Sequence, residues 1–169
     1  VEPVAEAAEE SAEVVERPSN PWVGSFRPKV VFVSPDGQNV YAVGGNTGWI
    51  AVFTRDPVTG RLSFLERHTD GDHGMSFQHV HGGTISPDGK HVYATANLHS
   101  AKEVVMFSRD ARSGALAYLG SVDAFGEFEG VDHGWDVTVS PDGHNVYVTG
   151  YDGANRDDAV AVYSRDQGT

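Results

Sequence analysis

One phrase recurs and confines the fold more than any other feature. Ser-Pro-Asp-Gly stands at residues 34–37, 86–89 and 140–143, in "VSPDGQNVYAVGG", "ISPDGKHVYATAN" and "VSPDGHNVYVTGY". The spacing is 52 residues from Ser34 to Ser86 and 54 from Ser86 to Ser140, a period that belongs to solenoids and propellers. Within each period the order is constant. An apolar run ("KVVFV", "GGTI", "DVTV") enters the turn, and an alternating strand ("NVYAV", "HVYAT", "NVYVT") leaves it. Proline presets φ at the second turn position and glycine relaxes the exit at the fourth.

A variable loop follows ("GGNTG", "NLHSAKE", "YDGANRDD"), then a third strand ending in Arg-Asp ("WIAVFTRD", "EVVMFSRD", "AVAVYSRD"). The turns "PVTG" and "ARSG" lead to a fourth strand, "RLSFLER" or "ALAYLGS". Four short β-branched and aromatic strands per repeat of about 53 residues, with no helical window, predict an all-β chain of four-stranded antiparallel propeller blades. Helical repeats would need a 3.6-residue period, and a parallel β-helix much shorter coils.

The pattern "VSPDGxxVYV" followed by "AVAVYSRD" and "TGxLxFLE" resembles the YVTN-type, lactonase-like β-propeller repeats of bacterial and archaeal envelope proteins and the 6-phosphogluconolactonase superfamily. The resemblance covers residues 28–169. It implies propeller blades at 28–70, 71–124 and 125–169, the last incomplete, in a protein outside the cytoplasm (extracellular or periplasmic). The opening Val is read as a removed leader or a trimmed terminus. About three blades fall short of the four to eight that close a ring. The expectation is an incomplete ring within one chain, finished by the remainder of a longer propeller, by a second copy, or by other subunits of an assembly.

Residues 1–27 differ from the rest. The first 20 hold six glutamates and one arginine. They form an acidic extension that is either a solvated tail or a docking segment held against a partner. The net charge of −12 disfavours nucleic acid and anionic membrane surfaces. No run of apolar residues is long enough to span a bilayer. The absence of cysteine removes disulfides and thiolate metal sites.

Candidate chemistry lies in the linkers that enter each inner strand, "HTDGDHGMSFQHVHGG" (68–83) and "GEFEGVDHGWD" (126–136). Asp-His-Gly occurs in both, at 72–74 and 132–134. His79 and His81 form His-x-His, which on a strand would point both rings the same way. With His73, His133, Asp72 or Asp132 they could make an N/O site for a transition metal. The Asp/Asn-rich stretch 152–160, with Asp152, Asn155, Asp157 and Asp158, offers hard oxygens to calcium but lacks EF-hand spacing. The resemblance implies a histidine five residues before the Ser-Pro-Asp-Gly serine. His81 holds that place before Ser86, and Lys29 and Trp135 hold it in the other blades. With Asp136 beside them, these residues could bind a sugar acid: Trp135 stacking, Lys29 on a carboxylate, His81 as general base.

The recurring Arg-Asp pairs (55–56, 109–110, 165–166) and Tyr41, Tyr93 and Tyr147 are expected to be structural, the Asp starting the turn into the fourth strand and the Arg and Tyr meeting a neighbouring blade. The first functional expectation is therefore a non-catalytic binding or scaffold module. A lactonase-like hydrolase and a metal-binding subunit of a larger complex are the alternatives.

Overall fold

Each Ser-Pro-Asp-Gly is the hairpin between the first and second strands of an antiparallel sheet, as the alternation predicts. The computed structural model describes residues 27–98, 101–124, 133–151 and 158–167. Blade one is β1 (Pro28–Val33), β2 (Asn39–Gly44), β3 (Trp49–Arg55) and β4 (Leu62–Thr69). Blade two is β5 (Gly83–Ile85), β6 (His91–Leu98), β7 (Ala101–Arg109) and β8 (Leu116–Asp123). Blade three contributes β9 (His133–Val139), β10 (Asn145–Tyr151) and β11 (Asp158–Ser164). Strand order follows chain order in every sheet. The repeat extends to its irregularities: the third and fourth strands shift register at Val52/Phe53 in blade one and at Met106/Phe107 in blade two.

The turn chemistry explains each letter of the repeat. Ser34 Oγ donates to Asp36 and accepts the amide of Asn39 at 2.9 Å. Asp36 Oδ1 accepts the amide of Gln38 at 3.1 Å. The same bonds recur at Ser86, Asp88, Lys90 and His91 and at Ser140, Asp142, His144 and Asn145. The glycines close the turn at φ 70°, 69° and 75°, in the left-handed region.

The apolar residues are buried between blades rather than within one. Tyr41, Val43, Ile50 and Val52 of blade one pack against Val92, Ala94, Val105 and Phe107 of blade two. Tyr93 and Val104, on the other face of blade two, pack against Val137, Val146 and Val148 of blade three. Each fully buried Val or Ile contributes on the order of 1.5–3 kcal/mol, so every blade depends on its neighbour.

The same interface carries an arginine clamp. Arg109 of blade two donates from Nη2 to Asp36 Oδ2 and Asn39 Oδ1, both at 2.7 Å, and from Nε to Tyr41 Oη at 2.8 Å. Its Nη1 reaches its own blade's Gly89 carbonyl at 3.2 Å. Arg165 of blade three repeats the arrangement on Asp88 (2.8 Å), His91 Nδ1 (2.8 Å) and Tyr93 Oη (3.1 Å), with Nη1 on Gly143 at 3.1 Å. The arginine of the Arg-Asp pair and the tyrosine thus join neighbouring blades through the Ser-Pro-Asp-Gly aspartate, while Asp56 and Asp110 accept the amides of Thr59 and Ser113 in their own turns. Burial alone would raise the carboxyl pKa of Asp36 and Asp88. The hydrogen bonds from Ser34, Gln38 and Arg109, or from Ser86, Arg165 and Lys90, together with the arginine charge, outweigh it and hold each at about 2.

An acid-stability prediction follows. A carboxylate whose folded pKa lies below its unfolded value stabilises the fold above that unfolded value, here 3.8, and the contribution is lost as pH falls toward about 2. The Tm should be level above about pH 5 and decline below about pH 4. Asp36→Asn combined with Asp88→Asn should lower the plateau and flatten the decline. An unchanged slope in the double variant would remove the clamps from acid unfolding.

The linker between blades one and two departs from expectation. The inner strand β5 begins at Gly83, so His79 and His81 precede it and do not share a strand face. His79 sits at φ 50°, in the left-handed region. The cause is an anchored linker. Asp70 accepts the amide of Phe77 at 2.7 Å and the side chain of Gln78 at 2.6 Å, and the His79 amide donates to Asn46 O at 3.2 Å. Met75, Phe77 and Val80 are buried in the core of blades one and two. Residues 75–80 thus plug that interface. They press on Gly48 so closely that a Cβ there would lie 1.0 Å from the Phe77 carbonyl oxygen. The acidic segment 1–26, including Trp22, lies outside the described residues.

Candidate functional site

The first strands of the blades lie side by side, β1 against β5 and β5 against β9. Their entry ends therefore meet at one rim. Lys29 is the second residue of β1, His81 stands two residues before β5, and Trp135 is the third residue of β9. The three positions paired by the repeat are brought together. Lys29 Nζ lies 3.1 Å from Nε2 and 3.3 Å from Nδ1 of His81. The rings of His81 and Trp135 are 4.5 Å apart, centroid to centroid.

Thr95 on β6 holds this arrangement. Its Oγ1 accepts the Gly82 amide at 2.8 Å and donates to the Trp135 carbonyl at 3.2 Å. One buried hydroxyl thus fixes the backbone beside His81 and that of Trp135. Gly82 is needed for the contact: a Cβ there would lie 2.6 Å from Asp136 Cα.

Electrostatics favour a neutral imidazole. Burial, the Lys29 ammonium, and the neighbouring His79 and His133 all lower the pKa of His81. Burial also lowers that of Lys29. A neutral imidazole beside an ammonium pairs a base with an electrophile-stabilising cation. The same ammonium works against a metal ion at His81. Among the described residues no three His, Asp or Glu side chains are grouped to hold a metal.

The other sequence candidates separate. His133 opens β9, its Nδ1 2.9 Å from Asn97 Oδ1 and its ring 4.9 Å from that of Tyr151. Asp136 is exposed, and its Oδ1 accepts the amide of Val137 at 2.9 Å. His73 sits at φ 54° in a short 3₁₀ turn (Asp72–Gly74), with its ring 6.5 Å from His68. Asp72 stabilises that turn, accepting the Thr69 amide at 2.7 Å. Asp158 is the exposed first residue of β11 rather than part of a loop. Asp132, Asp152, Asn155 and Asp157 lie outside the described residues.

Beside Trp135 a cleft of about 460 Å³ is lined by Trp135, Thr149, Gly150, Tyr151, Asp158, Ala159 and Val160. This is within the range of small-molecule sites. Tyr151 packs edge-on to Trp135 at 5.7 Å. Tyr151, Thr149, Asn97 and Thr95 were not singled out from sequence. Antiparallel pairing would have found Tyr151: the end of each second strand lies opposite the start of the first, as His133 lies opposite Tyr151.

Among solved structures the chain is similar to lactonase-like propellers. It shares 25 % identity with the periplasmic gluconolactonase of Pseudomonas aeruginosa, with a TM-score of 0.66, covering 83 % of this chain and 36 % of that one. A Bacteroides uniformis protein assigned as a 6-phosphogluconolactonase matches at 23 % identity and TM-score 0.65, again over 83 % of this chain and 36 % of that one. The Cps50 (Swd1) β-propeller domain of Myceliophteria thermophila matches at 12 % identity and TM-score 0.61, over 85 % and 40 %. The chain thus spans little more than a third of the length of the lactonase-like proteins. No protein-family model matches it, and no curated protein matches its sequence. Its fold is that of lactonase-like β-propeller blades.

Proposed function

We propose that these blades form part of a propeller that binds and hydrolyses a sugar-acid lactone at the rim where Lys29, His81 and Trp135 converge. The observation that carries this reading is the 3.1 Å approach of Lys29 Nζ to a His81 whose pKa is lowered, with the Trp135 ring tilted against it at 4.5 Å. The similarity to a gluconolactonase supports it.

A lactone is an internal ester. Neutral His81 takes a proton from water as the water oxygen bonds to the carbonyl carbon. The Lys29 ammonium, 3.1 Å from the imidazole, hydrogen-bonds the developing oxyanion. The ring C–O bond then breaks and the imidazolium returns its proton to the leaving alkoxide, giving the open hydroxy acid. Trp135 and Tyr151 offer aromatic faces to the sugar ring, and Thr149 and Asp158 offer partners for its hydroxyls. The similarity to a periplasmic protein also supports a location outside the cytoplasm. No helix among the described residues is long and apolar enough to cross a membrane.

The test is the pH dependence of lactone turnover by the full-length protein. The acid limb of kcat/KM should lie below the ordinary histidine value of 6.5, because His81 must be neutral. Lys29→Met removes a positive neighbour, which raises the His81 pKa and moves the limb upward, while turnover falls about tenfold or more. Absence of turnover with every sugar lactone tried, or a limb that does not move, would overturn the assignment.

A second reading, a non-catalytic scaffold, is supported by one observation. Val31 and Val33 of blade one and Val160 and Val162 of blade three expose large apolar side chains on sheet faces.

A further inference from the structure

Lys29 owes its direction to an irregularity of the strand that carries it. Along β1 the register passes from Pro28 opposite Gly44 to Val30 opposite Val43, so Lys29 is the extra residue of a β-bulge. A bulge re-aims a side chain that strict alternation would send elsewhere. By alternation Lys29 would share the face of Val31 and Val33, away from Val30 and Phe32, which pack into the core of blades one and two. Instead its Nζ reaches His81, in the linker that enters blade two. Gly44 permits the bulge: a Cβ there would lie 2.4 Å from the Arg27 carbonyl oxygen and 2.8 Å from the Lys29 amide nitrogen.

The surroundings of Nζ suit a nucleophile. Both nitrogens of the His81 ring lie within 3.3 Å of it, and among the described residues no carboxylate is paired with it. A carboxylate would favour the ammonium, whereas a neutral imidazole is an acceptor for the proton that an attacking amine sheds. Partial burial lowers the pKa of the amine and so enlarges its neutral fraction. The residue is still exposed enough for a reagent to reach it. Lys90, by contrast, donates its ammonium to the Gln167 carbonyl at 2.9 Å.

We propose that Lys29 is an acylation site: its ε-amine takes the acyl group of a lactone or an activated ester, with His81 handling the proton. The neutral amine bonds to the carbonyl carbon, the carbonyl π electrons move to oxygen, and His81 takes a proton from the nitrogen. When the tetrahedral intermediate collapses, the C–O bond breaks and the imidazolium gives its proton to the leaving oxygen. An amide on Lys29 and a free hydroxyl remain. On a lactone the leaving oxygen belongs to the ring, so the whole opened acid stays attached to Lys29. The site shares the rim with the hydrolysis proposed above but rests on the approach of Lys29 to His81, not on that activity. An amide also carries no ammonium, so acylation would end any hydrolysis that needs one.

The experiment is peptide mapping by mass spectrometry of the full-length protein after brief exposure to p-nitrophenyl acetate, and separately to glucono-δ-lactone, at mildly alkaline pH. Both reagents should modify Lys29 about tenfold or more faster than Lys90. His81→Gln should slow the labelling of Lys29 about tenfold or more and leave that of Lys90 unchanged; circular dichroism checks the fold of the variant. Equal labelling of Lys29 and Lys90, or a Lys29 rate that ignores His81→Gln, would overturn the proposal. The two proposals for this rim fail separately. Labelling of Lys29 in a protein that turns over no lactone keeps the acylation site and removes the hydrolase. Lactone turnover with Lys29 unlabelled does the reverse.

Discussion

Replacing Arg109 by alanine should lower the unfolding free energy by about 1–3 kcal/mol, the range for leaving buried hydrogen-bonding partners unsatisfied. The side chain of Arg109 is 2 % exposed and ties together Asp36, Asn39, Tyr41 and Gly89. Its removal leaves Asp36 without its counter-charge, in a turn whose carboxylate is needed by Ser34 and Gln38. It also strips Tyr41 Oη and Asn39 Oδ1 of a donor inside the interface, and unsatisfied buried groups cost more than the net worth of the bonds they made. Arg109→Lys should recover little, since an ammonium cannot fork between Asp36, Asn39 and Tyr41 in the fixed planar geometry of guanidinium. Arg55→Ala in the same chain is the internal control. It removes the same residue type from the same repeat position where, among the described residues, no neighbouring blade supplies an acceptor. Urea unfolding of the three variants is the measurement. Comparable losses at Arg55 and Arg109 would mean that the energy lies within each blade and not between blades.

That contrast also bears on what sequence could tell. The blades were legible because the repeat has two independent signals: a turn whose residues are each required locally, and alternating strands around it. The structural reading of Arg-Asp and Tyr followed from recurrence alone: Arg109 with Tyr41 and Arg165 with Tyr93 join blades, while Asp56 and Asp110 accept the amides of their own turns. The convergence of Lys29, His81 and Trp135 was legible for the same reason, since equal offsets from Ser-Pro-Asp-Gly become one rim when blades stack. What the sequence hid depends on tertiary contacts. His79 and His81 read as His-x-His on a strand, which would aim both rings one way. The linker is instead held by Asp70 within it and by Asn46 of the preceding blade, and it buries Met75, Phe77 and Val80 as a plug. Thr95 could not be picked out either. A threonine in a strand is unremarkable until its hydroxyl is seen to join Gly82 to Trp135.

The rim makes the sharpest demand on residue identity at His81. His81→Ala should reduce kcat for lactone hydrolysis by about 10²–10⁴-fold, the usual range for a general base. Both imidazole nitrogens lie within 3.3 Å of Lys29 Nζ. The lysine can stabilise an oxyanion but, as an ammonium, cannot accept a proton, so it does not substitute for the base. His81 is only half-buried and lies outside any strand. Its truncation should therefore change stability by no more than about 0.5 kcal/mol, which separates lost chemistry from lost fold. Trp135→Ala should act differently: Trp135 offers the sugar a face at 4.5 Å from His81, so KM should rise more than kcat falls. His144→Ala, an exposed histidine beside the Ser140 turn, should leave both constants unchanged. The acid limb present in the parent should vanish in His81→Ala, leaving a small rate that rises with hydroxide alone. A His81→Ala protein that keeps its kcat and its acid limb would move the proton transfer to another residue and leave this rim a binding surface.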